Sequence, residues 1–138
     1  MTFGRIVPME NTSTSPLRWL PALLMMVAIF TFSSIPASNM PDFGPYDFLV
    51  KKSGHAIGYA MLGLSYFYAL PRRLNSGYRW LTALMMAVLF ALSDEFHQSF
   101  VQGRTSSLRD VMIDSVSAAV FVAVAAIYSS NSRSSSTS

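Results

Sequence analysis

The chain has 138 residues, of which 51% are hydrophobic, 13% aromatic and only 12% charged, about half the charged share of an ordinary soluble domain. That balance excludes a typical soluble enzyme and names the lipid bilayer as the first partner. The absence of cysteine excludes a disulfide framework, a thiolate nucleophile and a zinc–thiolate site. The net charge of +3 comes from basic residues scattered in ones and twos, so the electrostatic footprint of a nucleic-acid binder is missing.

A helix needs about 17–25 apolar residues to cross a bilayer, and four blocks of that size are bounded by charge, proline or glycine. Residues 1–16 read as a disordered N-terminal tail. The first span runs from about Leu17 to Ile35, with Arg18 at its start and Pro36 and Pro41 beyond its end. The second runs from Lys52 to Leu70, ahead of a basic stop at Pro71, Arg72 and Arg73, where long side chains reach back to water. The third runs from about Tyr78 to Phe100 and the fourth from about Leu108 to Tyr128, after which residues 129–138 form a serine-rich tail, also read as disordered. The expected fold is all-α: a polytopic membrane protein whose domain, residues 17–128, is an antiparallel bundle of four transmembrane helices. A second reading of the first span is a secretory signal peptide cut near Ala37; the orientation of everything downstream is the same in both.

Basic residues set that orientation. Arg5, Arg18, Arg72, Arg73, Arg79 and Arg133 fall on one side of the threading, and Lys51, Lys52, Arg104 and Arg109 on the other. The bias places both termini in the cytoplasm. The acids divide more unevenly: Glu10 lies on the first side, whereas Asp42, Asp47, Asp94, Glu95, Asp110 and Asp114 lie toward the second.

Antiparallel threading brings three polar segments to that outer end: Lys52-Ser-Gly-His55, Asp94-Glu95-Phe-His97-Gln98, and the run from Arg104 through Asp110 to Asp114. Asp94 and Gln98, and Asp110 and Asp114, are spaced i,i+4, while Lys52 and His55 are i,i+3, so each set lines one face of its helix. Ionisable groups within a span are costly and mark a function by default. Two plainer readings stand beside that one: solvation at the interface, or ion pairs in which Lys52, Arg104 and Arg109 neutralise the carboxylates. Arg104, beside Gly103, has a fork of donors suited to phosphate or carboxylate, or to pairing with Asp94 or Glu95. His55 is the candidate acid or base, because its ordinary pKa lies nearest neutrality; otherwise it is a packed polar residue. His97 faces away from Asp94 and Gln98 and ranks below His55. Tyr59, one turn beyond His55, is also explained as an aromatic belt or core residue. No metal site is demanded: an all-oxygen cluster suits magnesium or calcium, with no spacing that requires either. The sequence leaves the cofactor open.

The order Lys52-x-x-His55-x-x-x-Tyr59, then Asp94-Glu95-x-x-Gln98, then Arg104-x-x-Ser107-x-x-Asp110-x-x-x-Asp114 resembles the VanZ-like family over roughly Lys52 to Ala118. Members are small polytopic bacterial membrane proteins, named for an accessory factor in resistance to the glycopeptide teicoplanin. The resemblance implies a cell-envelope role in glycopeptide susceptibility, with an anionic lipid or lipid-linked wall precursor as partner. It makes His55, Glu95, Asp94 and Asp110 the candidate catalytic residues and Lys52, Tyr59, Gln98, Arg104, Ser107 and Asp114 the candidate substrate contacts. Whether the role is a reaction or binding alone stays open. Two departures stand out: Lys51 where the family often has Asp, and Ser117 where it often has Gly. Ser53-Gly54-His55 and Arg104-x5-Asp110-x3-Asp114 are also similar to elements of membrane lipid phosphatases, but Asp110 stands where those enzymes carry their nucleophilic histidine.

Overall fold

The computed structural model describes residues 15–134; the expected N-terminal tail lies outside them apart from its last two residues. A short 3-10 turn over Pro16–Trp19 leads into α1, Leu20–Ser33. Then come α2, Asp47–Ala69, α3, Ser76–Gln98, and α4, Leu108–Ser134. Among the described residues no strand occurs. The chain is an all-α bundle.

Local chemistry sets the ends of the helices. Leu70 takes the extended conformation that proline imposes on its predecessor, so α2 stops before Pro71. The Asn75 side chain accepts the Gly77 N–H at 2.7 Å and caps α3. α2 begins five residues earlier than Lys52, the expected start, because Asp47 takes the favourable acidic place in its first turn and accepts the Lys51 ammonium at 2.7 Å. α4 continues past Tyr128, its expected end. Ser130 and Ser132 give their hydroxyls back to the carbonyls of Ile127 and Tyr128, which lets polar residues stay helical.

The helices run up and down, with α2 in contact with each of the other three. Parallel α2 and α4 approach closely at Gly63, where an added Cβ would stand 2.9 Å from Val122 Cγ2 and 3.2 Å from Ala118 Cβ. Small residues permit such approaches where hydrocarbon surrounds the bundle. Ala83, Ala87 and Ala91 form the corresponding fully buried row on α3. The outward surface is instead apolar: Leu24, Val27, Leu89, Val116 and Ile127 are among many large exposed side chains. The segment Pro16–Ser33 and the helices α3 and α4 are long and apolar enough to cross a membrane. α2 matches α3 in length, but Asp47, Lys51, Lys52 and His55 make its first turns polar.

Arginines close the helix ends away from that polar region. Arg18 donates to the Tyr68 and Leu70 carbonyls. Buried Arg79 donates to the Phe67 carbonyl at 2.6 Å and lies 4.0 Å from the Phe67 ring centroid. Both satisfy carbonyls that the last turn of α2 leaves over and complement its dipole.

Candidate functional site

The beginnings of α2 and α4, the end of α3 and the turn after α1 meet around a cavity of about 310 Å³. Beneath it lies a buried hydrogen-bond web. Asp94 Oδ2 accepts the Ser33 hydroxyl at 2.7 Å, the Gln98 amide at 3.0 Å and the Tyr59 hydroxyl at 3.2 Å. Gln98 also donates to Ser33 Oγ at 3.2 Å. One carboxylate thereby joins α1, α2 and α3. Its Oδ1 is buried without a hydrogen-bond partner among the described residues.

Glu95, the next residue, turns the other way. Its Oε2 accepts the Ser107 backbone N–H at 2.8 Å, and it is also hydrogen-bonded by the Ser106 side chain. It thus supplies negative charge to the start of α4, where free N–H groups and the helix dipole favour it. The Ser107 hydroxyl accepts the Arg109 N–H at 3.2 Å, so Ser107 is spent on capping α4.

Above the web, charges pair across helices. Lys52 forms an ion pair with Asp110, and His55 Nδ1 lies 3.7 Å from Asp114 Oδ2. The His55 and Tyr59 rings stack with centroids 6.4 Å apart. At the mouth, the Lys51 ammonium holds the half-buried Asp47 carboxyl below the usual carboxylate range. The faces inferred from i,i+3 and i,i+4 spacing therefore converge, and they do so on one cavity.

Arg104 is placed differently. It donates from Nε to the Ile35 carbonyl at 3.2 Å and from a terminal nitrogen to the Phe32 carbonyl at 2.7 Å, so it caps α1 while lining the cavity. Gly103 makes that turn with φ of +74°, and a Cβ there would meet Ala37 Cβ at 3.0 Å. His97 stacks on Phe30 and bonds Ser34 Oγ at 3.0 Å, outside the cavity. Of the sequence candidates, Lys52, His55, Glu95, Gln98, Arg104, Asp110 and Asp114 line the cavity, while Tyr59, Asp94 and Ser107 support it from behind. Sequence reasoning missed Ser33, Lys51 and Asp47. Among the described residues no group of three or more histidines and acids converges as a metal site.

Apolar helices carrying a charged cavity at one end define a multi-pass α-helical membrane protein. The chain belongs to the VanZ/LLP1 family, whose model matches residues 10–129. That match takes in α1 and most of α4, well beyond the stretch from Lys52 to Ala118 that carries the motifs. Neither a curated protein nor a solved structure matches the chain.

Proposed function

We propose that this protein works in the bacterial cytoplasmic membrane, with both termini in the cytoplasm and the charged cavity facing outward. There it binds or modifies a phosphate-bearing anionic lipid or lipid-linked wall precursor, and so alters glycopeptide action at the surface. The observation that supports this reading is the cavity itself: Lys51, Lys52 and Arg104 gather in one recess at the end of an apolar bundle. Basic groups at that level suit a head group whose chains remain in the bilayer. In a reaction, His55 and Glu95 move protons, Lys52 and Arg104 hold the anionic group, and Asp110 positions Lys52. Asp94 acts from beneath, holding α1, α2 and α3 in register.

The test is a mass-spectrometric comparison of polar lipids and lipid-linked wall precursors from cells making the wild-type chain or Glu95→Gln at matched levels. A species that depends on the wild type supports chemistry and names the substrate. Glycopeptide protection retained by Glu95→Gln at equal abundance sinks the proposal.

The Asp94 web favours a second reading, in which the polar groups are structural and the protein acts by binding a partner or shielding the surface. Substitutions then lower function in proportion to lost stability, and lipid profiles stay unchanged.

A further inference from the structure

A second recess lies toward the opposite end of the bundle, between the beginning of α1 and the second half of α2. It holds about 240 Å³ and is lined by Arg18, Pro21, Met61, Leu64, Ser65 and Tyr68. The four from α2 follow one another at i, i+3, i+4 and i+7, so a single face of that helix forms the long wall. From Met61 to Tyr68 the wall spans about 10 Å of helix. Ser65 returns its hydroxyl to the Met61 carbonyl at 2.8 Å, which meets its need within the helix and leaves the middle of the wall apolar. Met61 and Tyr68 are 51% and 54% exposed, so the groove opens sideways to whatever surrounds the bundle.

Depth orders this groove. Arg18 lies near the start of the membrane-crossing segment Pro16–Ser33, and α2 ends just beyond Tyr68, so the guanidinium and the phenol stand at the membrane surface. Leu64 and Met61 lie progressively nearer the bilayer centre. Arg18 donates to the Tyr68 and Leu70 carbonyls through one terminal nitrogen, and among the described residues the other two nitrogens of its guanidinium have no hydrogen-bond partner. No described acid is near: Asp42, Asp47, Asp94, Glu95, Asp110 and Asp114 all belong to the cavity end. There Lys51 and Lys52 each have a carboxylate, whereas among the described residues Arg18 has none.

We infer that this groove binds an anionic phospholipid of the leaflet opposite the cavity, its phosphate at Arg18 and one acyl chain along Leu64 and Met61. The order along the groove is the order along such a lipid, phosphate at the surface and chain toward the centre. Net negative charge is selected because a choline or ethanolamine ammonium would meet Arg18, and Arg73 just past α2, without a described carboxylate to accept it. A chain seated there fills the space between α1 and α2, the helix on which α1 chiefly packs. The groove is separate from the charged cavity and independent of what that cavity does.

The experiment places the full chain in nanodiscs of phosphatidylcholine and phosphatidylglycerol in equal parts, with a trace of one or the other carrying a diazirine in an acyl chain. After illumination, adducts are mapped by peptide mass spectrometry. Val120 and Val124, exposed on the outer face of α4, give the reference for undirected lipid. Relative to that reference, the phosphatidylglycerol probe is expected to label the groove walls about fivefold more than the phosphatidylcholine probe, the effect of one arginine at an anionic head group. Arg18→Gln should bring the two probes to equality. Met61→Trp should fill the groove from its open side and lower labelling of its walls by both. Should Arg18→Gln fail to fold, the preference of the wild-type chain still carries the test. Equal labelling of the groove by the two probes in the wild type overturns the inference, as does a preference that survives Arg18→Gln or labelling that Met61→Trp leaves unchanged. Adducts confined to the charged cavity overturn it too, while leaving the head-group reading of that cavity untouched.

Discussion

Ser33 donates its hydroxyl to Asp94 Oδ2 at 2.7 Å, joining the last turn of α1 to a residue 61 positions further along the chain. Removing it leaves a buried carboxylate with one donor fewer and loosens the attachment of α1. Ser33→Ala should therefore lower stability by about 1–3 kcal/mol, the range for losing a bond to a buried charged group. Thermal unfolding in detergent measures the loss, and protease sensitivity of the turn after α1 should rise with it. An unchanged melting temperature would show that the bond carries no weight.

The α2 and α4 backbones approach too closely at Gly63 for a larger residue. Gly63→Ala puts a methyl 2.9 Å from Val122 Cγ2, and overpacking of this kind costs about 1–3 kcal/mol. Alanine's better helix propensity returns less than that. Adding Val122→Ala opens the space, so the double variant should recover part of the loss. Denaturation of the single and double variants gives the coupling directly; a stabilised Gly63→Ala would contradict the close approach.

Lys52 and Asp110 join α2 to α4 above the web. Lys52→Glu should set two acids against each other and lower stability, and Asp110→Lys should do the same with two bases. Exchanging both should restore the fold, with a coupling energy of about 1 kcal/mol for a half-exposed pair. Lipid binding should not return with it, because the mouth cation has moved. A double variant no better folded than the singles would remove the pair from the account.

Arg104 reaches two carbonyls at once, those of Phe32 and Ile35. Lysine keeps the charge but not the planar fork. Arg104→Lys should weaken the end of α1 by about 1 kcal/mol and speed hydrogen exchange in its last turn. Exchange rates equal to wild type would show that a point charge suffices there.

Much of this was legible in the residues. Hydrophobic blocks foretold four helices, and i,i+3 and i,i+4 spacing foretold which faces of α2, α3 and α4 carry the polar groups. Pairing across helices was less legible. The split between Asp94 and Glu95 follows from the 100° that separates neighbours on a helix, but sequence does not say which neighbour faces the centre. Ser33 gave no signal, since a lone hydroxyl in an apolar span changes no periodicity; the same stretch has a second reading as the end of a signal peptide. Arg104 read as a partner for carboxylates or phosphate, yet the left-handed turn at Gly103 swings it back to α1. The helical course of residues 129–134 was hidden for a different reason: serine-rich composition suggests a loop, but here its hydroxyls bond within the helix.

The polarity of α2 also bears on how the protein is made. Asp47, Lys51, Lys52 and His55 give its first turns a poor standing in hydrocarbon, and the charge that neutralises Lys52 arrives only with α4, synthesised nearly sixty residues later. Lys52 is therefore without that ion pair while α2 and α3 are made, and gains it only once α4 has followed. The residues that form the cavity thus also tie the neutralisation of its central helix to α4.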